Sequence, residues 1–153
     1  MPRTIAATAI AAALLCSSGS RDASAQIPDK TLTVEGNTIV VSTGLANGAV
    51  TFNGRRIIDS DNGVVAAHGT YRASGKTFVL IEEDQGPSCA MFQIIAVAGK
   101  QASVSPLFGN CGDLPTATVA DGALRVQFRA MPAHGSVPVS PAQTHSFDGS
   151  TFR

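Results

Sequence analysis

Charge of one sign is nowhere concentrated in this 153-residue chain: eleven Lys and Arg face eleven Asp and Glu, and the longest like-charged run is Glu82-Glu83-Asp84. That balance argues against a nucleic-acid partner or an anionic membrane surface, which are held by clustered Lys and Arg that neutralise phosphates. No C-x-x-C pair and no His pair at ligand spacing occurs, which disfavours a zinc site. Past residue 25 the sequence lacks an apolar run long enough for a membrane-spanning helix, a helical stripe and an internal repeat. No cofactor is expected. The patterns that usually announce chemistry are missing, so the fold class is better determined than the function.

The start of the chain reads as a leader. Arg3 supplies a short positive region, Ile5 to Cys16 is apolar and Ala-rich, and Ala23-Ser24-Ala25 gives a small-residue cleavage pattern before Gln26. Lipidation at Cys16 is the rival reading. Leu15 occupies the place where a lipoprotein signal has Gly, Ala or Ser, so cleavage near Ala25 is favoured. The expectation is a periplasmic or secreted bacterial protein without a transmembrane anchor. Removing residues 1–25 leaves about 128 residues, a length suited to one domain.

Cleavage also removes Cys16 and leaves Cys89 and Cys111, an even pair bound for an oxidising compartment. A disulfide is therefore expected, and two separate buried thiols are the alternative. Closing a loop of about 22 residues stabilises a fold by roughly 3 kcal/mol on the chain-entropy account.

Strand chemistry runs from Thr31 to Arg129. Leu32 and Val34 alternate with polar residues, Gly36-Asn37 turns, and Thr38 to Ser42 follows. Asn53-Gly54, between Ala49 to Asn53 and Arg55 to Ile58, is the strongest hairpin signal, because a type I′ turn needs positive φ at both central residues. Asp59 to Gly63 reads as a polar loop and Val64 to Ala73 as a strand. After Ser74-Gly75, Phe78 to Ile81 is apolar on both alternating faces, as is Phe92 to Val97 apart from Gln93. Runs of that kind suit strands buried on both sides. Ala102 to Ser105 returns as a third strand. Leu124, Val126 and Phe128 alternate with Arg125, Gln127 and Arg129, which predicts a half-buried strand near an edge. The fold class is all-β, a small antiparallel sandwich or barrel-like meander with one disulfide, over residues 26–130. Residues 131–153 are Pro- and Ser-rich, extended through 143, with a last edge strand over Thr144 to Asp148.

Each candidate for chemistry meets a plainer reading. Ser88 in Gly86-Pro87-Ser88-Cys89-Ala90 lacks the Gly two residues on and the helix behind it that a nucleophile elbow needs, so a turn before a disulfide is favoured. Residues 59–63 begin like a calcium loop, but Gly63 stands too early and Thr70 replaces the bidentate Glu. Glu82 and Glu83 point to opposite faces of a strand and cannot converge for acid–base work, so a solvated strand end is favoured. His68, His134 and His145 are far apart, and His68 is expected at a surface or rim.

The segments Phe78-Val79-Leu80-Ile81, Cys89-Ala90-Met91-Phe92 and Phe108-Gly109-Asn110-Cys111-Gly112-Asp113-Leu114 resemble those of a group of small exported bacterial β-proteins of unassigned function. That pattern has Cys-Pro-Ala before the second strand and Phe-Gly-x-Cys-Ser-Asp-Leu after it, so this chain departs at Ala90 and Gly112. The resemblance spans about residues 77–114. It implies the disulfide and export, and no activity.

The function expected is a non-enzymatic binding module acting on another exported or envelope protein, because braced loops lose little entropy on docking. Its candidate loops hold Asp84, Gln85 and Ser88 on one side and Pro106, Phe108, Asn110 and Asp113 on the other. Phe108 is the anchor if its ring is exposed; folding back onto the core is the favoured alternative. An envelope assembly role through a bare strand edge is a second reading. A hydrolase using His68, Asp59 and Glu83 is a third.

Overall fold

A strand with Phe78 and Leu80 on one side and Val79 and Ile81 on the other has no face to give to water, so it needs a cover on each side. The computed structural model supplies both covers. It describes residues 29–43, 48–61, 65–85, 89–111, 114–132 and 139–153. The expected leader and residues 133–138 of the Pro-rich segment lie outside these.

The described residues form strands and no helix. The middle layer is an antiparallel meander of β5 (Val65–Ala73), β6 (Lys76–Asp84), β7 (Ala90–Ala98) and β8 (Gln101–Val104), in that order. One outer layer is a second meander of β1 (Lys30–Val34), β2 (Asn37–Ser42), β3 (Gly48–Phe52) and β4 (Arg55–Ser60). The other has β10 (Ala123–Phe128) between β9 (Thr116–Ala120) and β11 (Gln143–Phe147). All pairings are antiparallel, and no sheet closes into a barrel.

Two cores result. Val79, Ile81, Ile95 and Val97 pack against Ile39, Val41, Val50, Phe52 and Ile58 of the first outer layer. Phe78, Leu80, Phe92, Ile94 and Ala96 pack against Leu124, Val126, Phe128 and Phe147 of the second. Full burial of each such side chain contributes about 1.5–3 kcal/mol, so stripping either cover would leave one complete face of β6 and β7 unsatisfied.

The hairpins follow local chemistry. Asn53-Gly54 turns with φ of 50° and 80°, as type I′ requires. The first turn is Glu35-Gly36, φ 50° and 71°, one residue earlier than Gly36-Asn37. Asn37 is drawn into β2 because its amide is buried and ties two sheets together.

Two further expectations are corrected. The strand at Leu124 is the middle strand of its sheet, not an edge; polar alternation reports a solvated face, which a central strand of an outer layer also has. Asp59 and Ser60 belong to β4 rather than to a polar loop. A register shift on β4 opposite Val50 and Thr51 leaves Ile58 and Ser60 buried and Asp59 exposed. The ends of the Pro-rich segment are tied, since Met131 and Ser140 exchange two backbone hydrogen bonds of 2.8 and 3.0 Å.

Candidate functional site

Cys89 and Cys111 are joined in a disulfide, with their Cα atoms 4.0 Å apart. The bridge closes a segment that turns back along the first half of β7, which β8 leaves unpaired. Ser105 begins this return: its N–H donates to the Ile94 carbonyl and its hydroxyl accepts from the Ile94 N–H, both at 2.9 Å. Phe108 then exchanges backbone hydrogen bonds of 2.7 and 2.9 Å with Phe92. Between these anchor points Pro106 and Leu107 are pushed outward, and Leu107 is 40% exposed. Gly109 passes so close to β7 that an added Cβ would lie 3.2 Å from the Ala90 carbonyl oxygen, and its φ of 147° disfavours a side chain as well.

Phe108 is not an exposed anchor. It is 4% exposed, in the second core, because its pairing with Phe92 turns both rings to the same side. Asn110 is also buried, and its amide donates to the Arg129 carbonyl at 2.9 Å, fastening the loop to the end of β10. Asp84 is half-buried at the end of β6. The Gln85 N–H donates to the Cys89 carbonyl at 2.9 Å. Ser88 and Asp113 lie outside the described residues, as does the Gly86-Pro87 turn. Among the described residues of this region the exposed ones are Pro106, Leu107 and, three residues past Cys111, Leu114 at 64% exposure.

The second core gathers aromatic rings that are far apart in sequence. His145 stacks on Phe152 at 5.4 Å and meets Phe108 at 5.1 Å, while Phe108 meets Phe128 at 6.0 Å. Burial among these rings lowers the pKa of His145. His68 lies edge-on to Phe92 at 5.9 Å and hydrogen-bonds the Glu82 carboxylate. A β-bulge places it there, for His68 is the extra residue between Ala67 and Gly69. Neither arrangement has a spacing signal in the sequence.

Glu82 and Glu83 diverge as expected, but the run is not a solvated strand end. Glu83 is 5% exposed and faces the first outer layer, because it continues the inward series of Val79 and Ile81. Burial pushes its carboxyl pKa above the ordinary value; the neighbouring buried Ser60 hydroxyl offsets this only in part and closes no hydrogen bond of normal geometry. His68 and Glu83 therefore sit on opposite sides of the middle layer. Asp59 is an exposed partner of Arg56 at 3.0 Å, so the three residues of the hydrolase reading do not converge.

The buried carboxyl has a consequence for stability. Its folded pKa exceeds its unfolded one, so this group favours the fold most below the ordinary value of 4.5. That contribution is lost as pH rises through the folded pKa. Glu83→Gln is expected to stabilise the protein by about 1 kcal/mol at pH 7 and to flatten the stability change above pH 4.5. Urea midpoints for both proteins across that pH range measure it.

No group of three His, Cys, Asp or Glu among the described residues is placed to hold a metal ion, and His134 lies outside them. Grooves of about 460 and 530 Å³ lie beside Arg72 and Lys76 and beside Arg55 and Lys100; neither includes His68, Glu82 or His145. No described helix is long and apolar enough to cross a membrane. The site and fold define a three-layer antiparallel β-protein with a disulfide-clamped edge loop. The chain matches no protein-family model, no curated protein and no solved structure.

Proposed function

We propose that this chain is an exported binding module that docks on another protein through the loop clamped by Cys89 and Cys111. The supporting observation is the contrast within that loop. Ser105, Phe108 and Asn110 are buried, whereas the intervening Pro106 and Leu107 and the following Leu114 face water. Large apolar side chains held outward by a fixed backbone present contact area at low ordering cost, which favours association. A disulfide is at home in an oxidising compartment, in keeping with the Ala23-Ser24-Ala25 leader pattern. Near-neutral charge suits a protein partner better than a nucleic acid.

The test compares immobilised protein with a Leu107→Asp, Leu114→Asp double variant as bait for a periplasmic extract. Both positions are exposed, so thermal midpoints should differ little. A protein retained by the parent and lost, at least about tenfold, by the variant is the expected result. Identical retained sets for the two baits would refute docking through this loop.

A further inference from the structure

We propose that β9 is a self-association edge, at which two copies of this chain pair β9 with β9 antiparallel about a two-fold axis at Thr118. The proposal is independent of the docking loop.

Sheet edges invite pairing with other chains, and proteins block them with charge, bulges or covering segments. In the two four-stranded sheets β1 carries Lys30, β4 carries Arg55, Arg56 and Asp59, and β5 has the His68 bulge and Arg72. β8 runs into the outward turn at Pro106. In the three-stranded sheet the outer side of β11 is paired by the chain's own return, where Ser146 and Arg153 exchange backbone hydrogen bonds of 2.9 and 3.0 Å. β9, Thr-Ala-Thr-Val-Ala, has no charge, bulge or proline. It ends its sheet, and no described residue continues the ladder beyond it.

The hairpin geometry says which of its groups are free. Asp121 and Gly122 have φ of 51° and 74°, a two-residue type I′ turn closing the pair Ala120 and Ala123. In such a turn the closing residues exchange both hydrogen bonds, so Ala120, Thr118 and Thr116 point their peptide groups at β10. Ala117 and Val119 therefore direct N–H and C=O away from the sheet. With a two-fold axis at Thr118, Ala117 of one copy faces Val119 of the other. Each such pair exchanges two hydrogen bonds, and four arise from two residues. Proline at position 115 bounds the edge on one side and the turn bounds it on the other.

The side chains fit the same register. Val119 lies opposite Leu124 and so points to the core side of its sheet, towards β5 of the middle layer, yet it remains 41% exposed because no described strand pairs with β9 beyond it. Pairing sets the mate's Ala117 beside it on that face and makes one six-stranded sheet from two. Asp121, the nearest charge, meets Pro115 of the mate and no like charge. An interface this short falls below the standard size of about 1,600 Å², so the dimer is weak and depends on concentration.

Sedimentation equilibrium from micromolar to millimolar protein tests the proposal. The parent is expected to move from monomer to dimer. Ala117→Pro removes an outward N–H and leaves the β9–β10 ladder intact, and Val119→Lys adds a charge at the same edge. Each is expected to weaken association at least about tenfold with an unchanged circular dichroism spectrum. Thr118→Cys places two sulfurs at a facing pair with Cα atoms about 4.5 Å apart and should give a disulfide-linked dimer on mild oxidation, whereas Thr116→Cys should not. A parent that stays monomeric throughout overturns the proposal, as does Ala117→Pro associating like the parent or equal cross-linking at 116 and 118.

Discussion

Replacing both bridge cysteines, Cys89→Ala with Cys111→Ala, is expected to cost about 3 kcal/mol of stability, the chain-entropy value for a closed loop of this length. The 22-residue separation encloses β7, β8 and the return segment, so the bridge restrains the unfolded chain across the central strand of the middle layer. In the folded state it is not the only fastening. Phe108 is hydrogen-bonded to Phe92, and the Asn110 amide holds Arg129 at 2.9 Å. The variant should therefore keep its strand content and lose stability, with the earliest protease cleavage at the exposed Pro106 and Leu107. Urea unfolding of parent and variant measures the first effect, and limited proteolysis the second. A loss below about 1 kcal/mol would mean that the aromatic core under Phe108, rather than the covalent link, limits opening of this region.

That division between bridge and core also shows what the sequence made legible. The continuous apolar runs at 78–81 and 92–97 are the residues buried on both faces, and the two cysteines that follow the expected leader are the pair that bonds. Such features depend on period and composition. Thr116–Ala120 carries neither signal: short, small and half-polar, it is a strand only because β10 pairs with it. Local sequence does not decide the burial of Phe108, and it misplaces Glu83 in a solvated strand end, for a related reason. Whether an aromatic in a Pro- and Gly-flanked loop faces in is settled by a pairing with Phe92, sixteen residues away, and the burial of Glu83 by the neighbouring sheet. The ring contacts of His145 join Phe152, in the return beside its own strand, to Phe108 and Phe128 in two distant segments, so no local spacing encodes the cluster.

Asn37→Asp is expected to lose roughly 3 kcal/mol, because it reverses hydrogen bonds inside a buried polar clasp. Asn37 is 1% exposed, and its amide nitrogen donates to the carbonyls of Gly99 at 2.7 Å, Val34 at 3.1 Å and Glu35 at 3.2 Å. Its oxygen accepts from the Asn53 amide at 3.0 Å. Glu35 extends the clasp, accepting from the Thr77 hydroxyl at 2.7 Å and from the Gly99 N–H at 3.3 Å. These groups join the first turn of one outer sheet to the β7–β8 turn and the start of β6, closing one end of the first core with polar bonds. Aspartate has nearly the same shape, but its second oxygen would face three carbonyl oxygens and bring a charge into a buried site, where the nearby Lys100 ammonium is already engaged with the Gly36 carbonyl at 3.3 Å. Packing is preserved, so the loss isolates the direction of the hydrogen bonds. Asn53→Asp, at an exposed position of the same network, is expected to lose only about 1 kcal/mol. Guanidinium unfolding of both variants gives the comparison. If Asn37→Asp were no worse than Asn53→Asp, the two sheets would be held at this end by their apolar faces alone.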